Sequence, residues 1–172
     1  MSWWTVLKYS ILGIFCSAEW IGEHRRTHAL RVLARKFGLT FLGKRALPGA
    51  ISLYGTPFAH IPSGPVANLM DGTHNNVHVI VFDCEVWEGK SSWRRTVIAV
   101  RSPESALASA ASNPDFKIDR SAAWSILYQP KGLAATPSAL MPVDQVEAIL
   151  SQVEDRTADP SFRPAKAERH SG

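Results

Sequence analysis

VHVIVFDCEVWEGKSSWRRTVIAVR, residues 77–101, decides the fold. Two runs rich in β-branched and aromatic residues flank Gly89-Lys90-Ser91-Ser92, the signature of two antiparallel strands joined by a hairpin turn. Centring the turn on Lys90 predicts a register with Trp87 opposite Trp93, Glu85 opposite Arg95 and Val81 opposite Ala99 on one face. The other face then pairs Cys84 with Thr96, Phe82 with Ile98 and Ile80 with Val100. Because that second set is apolar nearly throughout, it is expected to face a core beneath helices, with Cys84 buried.

Further strands follow on either side of the hairpin. Residues 66–70 read as a strand ended by Asp71-Gly72, and residues 123–129 as another ended by Pro130. Residues 46–65 hold Pro48, Pro57, Pro62 and Pro65 with Gly49, Gly55 and Gly64, a loop with one edge strand at 50–54. Residues 103–111 suggest a short helix opened by Pro103 and Glu104. Ala29, Leu30, Leu33 and Phe37 recur at helical spacing, and Gly38-Leu39 reads as a C-terminal cap, giving a helix over 24–37. Val143, Val146, Ile149, Leu150 and Val153 give a second helix over 142–154. The expected fold is α+β: an antiparallel meander packed by an N-terminal and a C-terminal helix. The expected organisation is a hydrophobic segment at 1–23, the α+β domain at 24–154 and a polar, disordered tail at 155–172.

With 172 residues, 45% hydrophobic and 20% charged, the chain has globular composition, which argues against wholesale disorder and against several membrane spans. Its net charge of +4 arises largely in residues 24–45, where Arg25, Arg26, Arg31, Arg35, Lys36, Lys44 and Arg45 occur without an acidic residue. The two cysteines, Cys16 and Cys84, make a disulfide framework improbable.

Residues 3–21, WWTVLKYSILGIFCSAEWI, are about long enough to cross a bilayer, but Lys8 and Glu19 leave only residues 9–18 uncharged. Tryptophans at both ends resemble interfacial anchors. Three readings stay open: a single span, an interfacial or soluble helix, and a signal peptide cut after Ala18. For a spanning segment, the basic block behind it places the domain on the cytoplasmic side of a bacterial inner membrane, the alternatives being a soluble cytoplasmic or an exported protein. Arg25, Arg26, Arg31, Arg35 and Lys36 then form a membrane-proximal basic face able to meet anionic lipid headgroups, against the alternative of a solvated helix face.

Chemical motifs fail one by one. Leu69-Met70-Asp71-Gly72-Thr73 lacks the aspartate nucleophile of a haloacid dehalogenase loop, and Ser63 lacks the glycine pattern of a nucleophile elbow. Neither glycine-rich phosphate loop occurs. His74 and His78 fall in a turn running into a strand, where they point differently, and His60 has no evident partner in the sequence. Strand alternation sends Cys84 to the face opposite Asp83 and Glu85, so these three do not form one cluster. No metal-ligand set and no cofactor is expected.

Asn68, Gly72, the run Val79-Ile80-Val81-Phe82-Asp83 and Thr96-Val97 resemble an N-x-x-x-G…V-x-V-F-D pattern in a group of uncharacterised bacterial proteins. That resemblance, over about residues 28–153, implies a hydrophobic N-terminal segment, a helix ending in glycine and a β-meander, and no catalytic residues. The expected function is a non-catalytic, membrane-associated binding or structural domain. Its partner is a membrane surface or anionic lipid, with a protein partner as a further option. One alternative is a hydrolase or metal-dependent enzyme assembled from His60, His74, His78, Asp71 and Asp83. The other is nucleic-acid binding through the basic helix and residues 93–95. Trp87, Trp93, Arg94 and Arg95 at the hairpin tip are the candidate binding residues.

Overall fold

A computed structural model describes residues 3–49, 51–61, 64–88, 90–101, 107, 110, 112–130 and 140–153, of which 4–19, 87, 88 and 91 are described by their backbone alone. The expected tail at 155–172 and nearly all of the helix expected at 103–111 lie outside these residues.

The hydrophobic segment and the basic helix run together as one helix, α1 (Trp3–Lys36). Gly38 at φ 70 ends it: the Leu39 amide donates to the Ala34 carbonyl at 2.8 Å and the Gly38 amide to the Arg35 carbonyl at 3.3 Å, the paired closure foreseen from Gly38-Leu39. No helix among the described residues is long and apolar enough to cross a membrane.

Six strands follow: β1 (Thr40–Ala46), β2 (Pro65–His74), β3 (Val77–Glu88), β4 (Ser91–Arg101), β5 (Lys117–Ser121) and β6 (Trp124–Tyr128). They form one antiparallel sheet in the order β1-β2-β3-β4-β6-β5, and α2 (Val143–Ser151) closes the described chain. The expected α+β class stands.

Several local expectations need correction. The strand expected to stop at Met70 continues to His74, and the turn is Asn75-Asn76, with φ of 48 and 63, a geometry that suits tight hairpins. Residues 51–53 are not a strand. In the β3–β4 hairpin Glu88 pairs with Ser91 and Trp87 with Ser92, so Ser91 and Ser92, expected in the turn, belong to β4. The register is one residue off the expected one: Cys84 faces Arg95, Glu85 faces Arg94, Val86 faces Trp93 and Val81 faces Ile98. Two-residue loops match the twist of the flanking strands, and that preference outweighed a turn centred on Lys90.

Cys84 is buried, as expected, but not beneath the helices. Val79, Val81, Ile98, Val100 and Leu127 face the helices and meet Leu30, Leu33 and Phe37 of the α1 end and Val146, Ile149 and Leu150 of α2. Ile80, Phe82, Cys84, Val97, Ala99 and Ile126 face the other way. That side is covered by the proline-rich segment, whose Ile51, Leu53 and Phe58 are buried against it. The segment satisfies its polar groups locally. Thr56 Oγ1 donates to the Leu53 carbonyl at 2.7 Å and accepts from the Phe58 amide at 3.2 Å, while Ser121 Oγ donates to the Tyr54 carbonyl at 2.8 Å.

Candidate functional site

Where α1 meets the sheet, the sequence places a polar group in an otherwise apolar interface. Asp83 follows Val79 and Val81 on the helix-facing side of β3, so strand alternation carries its carboxylate into the interior. It is 2% exposed. Arg26, one residue off the exposed Arg25, turns inward above it, its side chain 13% exposed. Arg26 Nε donates to Asp83 Oδ2 at 2.8 Å and Nη2 to Oδ1 at 2.9 Å, a two-pronged ion pair.

Three other segments complete the arrangement. Asn68 Nδ2 donates to Asp83 Oδ2 at 2.8 Å, and Thr96 Oγ1 donates to Oδ1 at 2.7 Å. Thr27 Oγ1 donates to Asn68 Oδ1 at 2.9 Å. Arg26 also donates through Nη2 to Thr96 Oγ1 at 2.8 Å and through Nη1 to the Met141 carbonyl at 2.7 Å, joining the chain entering α2 to α1 and the sheet. Asn68 reaches this position because β2 bulges between Ala67 and Met70 and Asn68 sits at φ 51, a conformation asparagine tolerates better than most residues. Gly72 answers a second demand: a Cβ there would stand 3.2 Å from the Leu39 Cα and Cδ2, so a larger residue would have to push β2 and the end of α1 apart by a few tenths of an ångström.

Asn68, Gly72, Asp83 and Thr96 are the polar and glycine positions of the N-x-x-x-G…V-x-V-F-D resemblance. Here they bind one helix to one sheet. Arg26 and Thr27 complete the group and were not singled out for this role by sequence reasoning. The available signal was a buried-phase aspartate in β3 that required a cationic partner.

The network floors a cleft of about 530 Å³, bounded by Glu23 of α1, Lys44 of β1, Pro65 of β2 and Glu85 and Arg94 of the β3–β4 hairpin. Arg94 Nη1 donates to Glu23 Oε1 at 2.5 Å. The cleft exists because β3 pairs with β2 only as far as Asp83 and continues to Glu88 beside β4 alone.

The chemistry of this site is that of a clamp. Each Asp83 oxygen already accepts two hydrogen bonds, which leaves the carboxylate poorly placed to take a proton from a substrate. Burial, reinforced by the charge of Asp83, pushes the Cys84 thiol far above the ordinary range, and Arg95 offsets this only in part. A thiol so shifted is the opposite of an activated nucleophile. No cluster of metal-ligating side chains occurs among the described residues.

The residues singled out in the sequence are dispersed. Trp93 is partly buried against the core under the proline-rich segment. Arg95, also buried on that face, donates to the Arg94 carbonyl at 2.8 Å, and burial lowers the pKa of its guanidinium. Arg94 lines the cleft on the opposite face, and the Trp87 side chain lies outside the described residues. Of the basic helix residues, Arg26 is committed to Asp83, while Arg25, Arg31, Arg35 and Lys36 are exposed. Arg31 lies 5.2 Å from the Phe41 ring centroid, and Lys36 pairs with Glu147. Asp71 and His78 do meet, at 2.7 Å, with His78 edge-on to Trp124. His74 instead packs against Phe37, and His60 lines a neighbouring cleft with Pro57 and Ile61.

No family model matches the chain, and neither a curated protein nor a solved structure does.

Proposed function

We propose that this protein is a non-catalytic domain that attaches to an anionic membrane surface through the N-terminal part of α1. The observation that carries this reading is the continuity of α1, one helix from an apolar segment with exposed tryptophan to the buried Arg26 clamp. Trp3 is 79% exposed, Trp20 61% and Ile21 43%, a costly arrangement in water unless the surface has a use. Exposed Trp20 and Ile21 at the point where α1 leaves the domain suit a helix meeting the headgroup region, where tryptophan favours the interface and the exposed Arg25 meets anionic lipid. The saturated Asp83 and the suppressed Cys84 support the absence of catalysis in this reading.

Flotation of the full-length protein with phosphatidylcholine vesicles, with and without phosphatidylglycerol, tests it. The expected result is flotation with the anionic vesicles at low salt, weakened roughly tenfold in affinity by the double change Trp20→Ser and Ile21→Ser. Protein remaining at the bottom of the gradient with both compositions overturns the proposal.

A further inference from the structure

The charges of the cleft above the clamp nearly cancel in pairs. Arg26 is matched by Asp83 and Arg94 by Glu23, both in direct contact. Lys44 and Glu85 remain. Among the described residues neither side chain makes a hydrogen bond or ion pair, although both border the same 530 Å³ space. The lining as a whole is thus balanced, with one uncommitted cation on the β1 side and one uncommitted anion on the hairpin side. A simple anion meets Glu85 and Glu23 as well as the cations, and a simple cation meets the converse. A ligand carrying both signs satisfies both walls and leaves no charge uncompensated.

We infer that this cleft binds a small zwitterion with a phosphodiester and a primary ammonium, the chemistry of a phosphatidylethanolamine headgroup. Lys44 and Arg94 hold the phosphate, and Glu85 and Glu23 receive the ammonium. Two features favour the headgroup of a lipid as the source, a point that rests on the membrane reading above. Glu23 lies one turn of α1 beyond the exposed Trp20, so the cleft opens where the apolar part of the helix leaves the domain. A second cleft, of about 520 Å³, adjoins the first at Pro65, Cys84 and Glu85 and offers Pro57, Ile61 and Pro65 to the apolar portion of an amphiphile.

Two arms test the proposal with the full-length chain. In the first, soluble glycerophosphoethanolamine is titrated while backbone amide resonances are followed, with dimethyl phosphate and ethanolamine as the single-charge controls. Resonances of Lys44, Glu85 and Arg94 are expected to shift with the zwitterion and to respond more weakly to either control. Lys44→Gln and Glu85→Gln each weaken binding about two- to fivefold, as expected for one partly exposed charge contact. Both side chains lie outside the clamp, so the fold is retained. Absence of shifts at the cleft, an equal response to dimethyl phosphate alone, or an unchanged affinity in Glu85→Gln overturns the site. In the second arm, phosphatidylethanolamine is added to phosphatidylcholine–phosphatidylglycerol vesicles. It is expected to increase flotation of the unaltered protein but not of the Lys44→Gln, Glu85→Gln double variant. Soluble binding without that increase overturns the lipid source alone, and soluble binding without any flotation overturns the membrane reading while the cleft stands.

Discussion

The two faces of the sheet are held by different physics. On the helix side, apolar packing surrounds one charged group whose geometry admits few alternatives: four hydrogen bonds converge on Asp83 from α1, β2 and β4. On the other side an irregular segment lays Ile51, Leu53 and Phe58 onto the strands and bonds its polar groups within itself or to Ser121. Apolar contact is non-directional and tolerates sliding, whereas a two-pronged ion pair fixes angle and position together. The difference suggests that the helix face is built for orientation and the loop face for burial.

Removing one member of the clamp is the strongest challenge to that contrast. Asp83→Ala strands the Arg26 guanidinium in a mostly buried position, and urea denaturation should register a loss of about 4 kcal/mol. Replacing both partners by apolar residues, Arg26→Met with Asp83→Leu, should restore most of that loss while loosening the helix orientation, visible as broadened amide resonances in α1. If the double variant is as unstable as the single one, the pair contributes net stability and the contrast with the loop face weakens.

Leu53→Ala probes the opposite side. It leaves a cavity under the proline-rich segment and should cost about 3 kcal/mol in the same assay. Since Leu53 packs on the loop face and the Asp83 carboxylate lies on the helix face, the two losses should add to within about 0.5 kcal/mol. A larger coupling would show that the sheet transmits strain between its faces.

The smallest effect concerns the loop-face tyrosine at the strand end. Burial first, and its hydrogen bond to Asp119 at 2.7 Å second, raise Tyr128 from 10.0 to about 12. Because the folded value lies above the unfolded one, the associated stability is complete below pH 10.0 and is lost as the pH climbs through about 12. Ultraviolet titration, compared with that of a Tyr128→Phe variant, should find the Tyr128 phenolate forming near pH 12. Asp119→Asn should bring that titration to lower pH, with about 1 kcal/mol or less lost at neutral pH.

The unequal visibility of these features in the sequence has physical causes. The hairpin, the glycine closure of α1 and the apolar stripe of α2 were legible because each depends on near neighbours in the chain. Strands β1 and β5 were not, since both are edge strands carrying charges such as Lys44, Arg45, Lys117 and Asp119, which protect an edge and erase its alternation. The helix-facing side of β3 was misassigned because both faces are covered, and a strand buried on both sides reads as a continuous apolar run. At the site, Asp83 attracted notice as a neighbour of Cys84, whereas its partners lie 57 residues away in Arg26 and 15 away in Asn68. Periodicity carries no information about such pairings. The short resemblance motif did hold four of the residues, without the helix that explains them.

The join between Ile21 and Arg26 turns α1 into a shaft whose angular phase is fixed at one end. An α-helix resists twisting, and Arg26 locks its rotation against β3, β4 and the chain before α2. The direction in which Trp20 and Ile21 face is thus set by a carboxylate in the middle of the sheet. One residue inserted at Gly22 would leave the Arg26–Asp83 clamp intact yet swing that exposed side by about 100° about the axis. Inserting a further 17 would bring it round to nearly its starting direction, about 27 Å further from the domain. In this protein the distance and bearing of the N-terminal segment are encoded in residue count, with the buried Arg26–Asp83 pair as the zero mark.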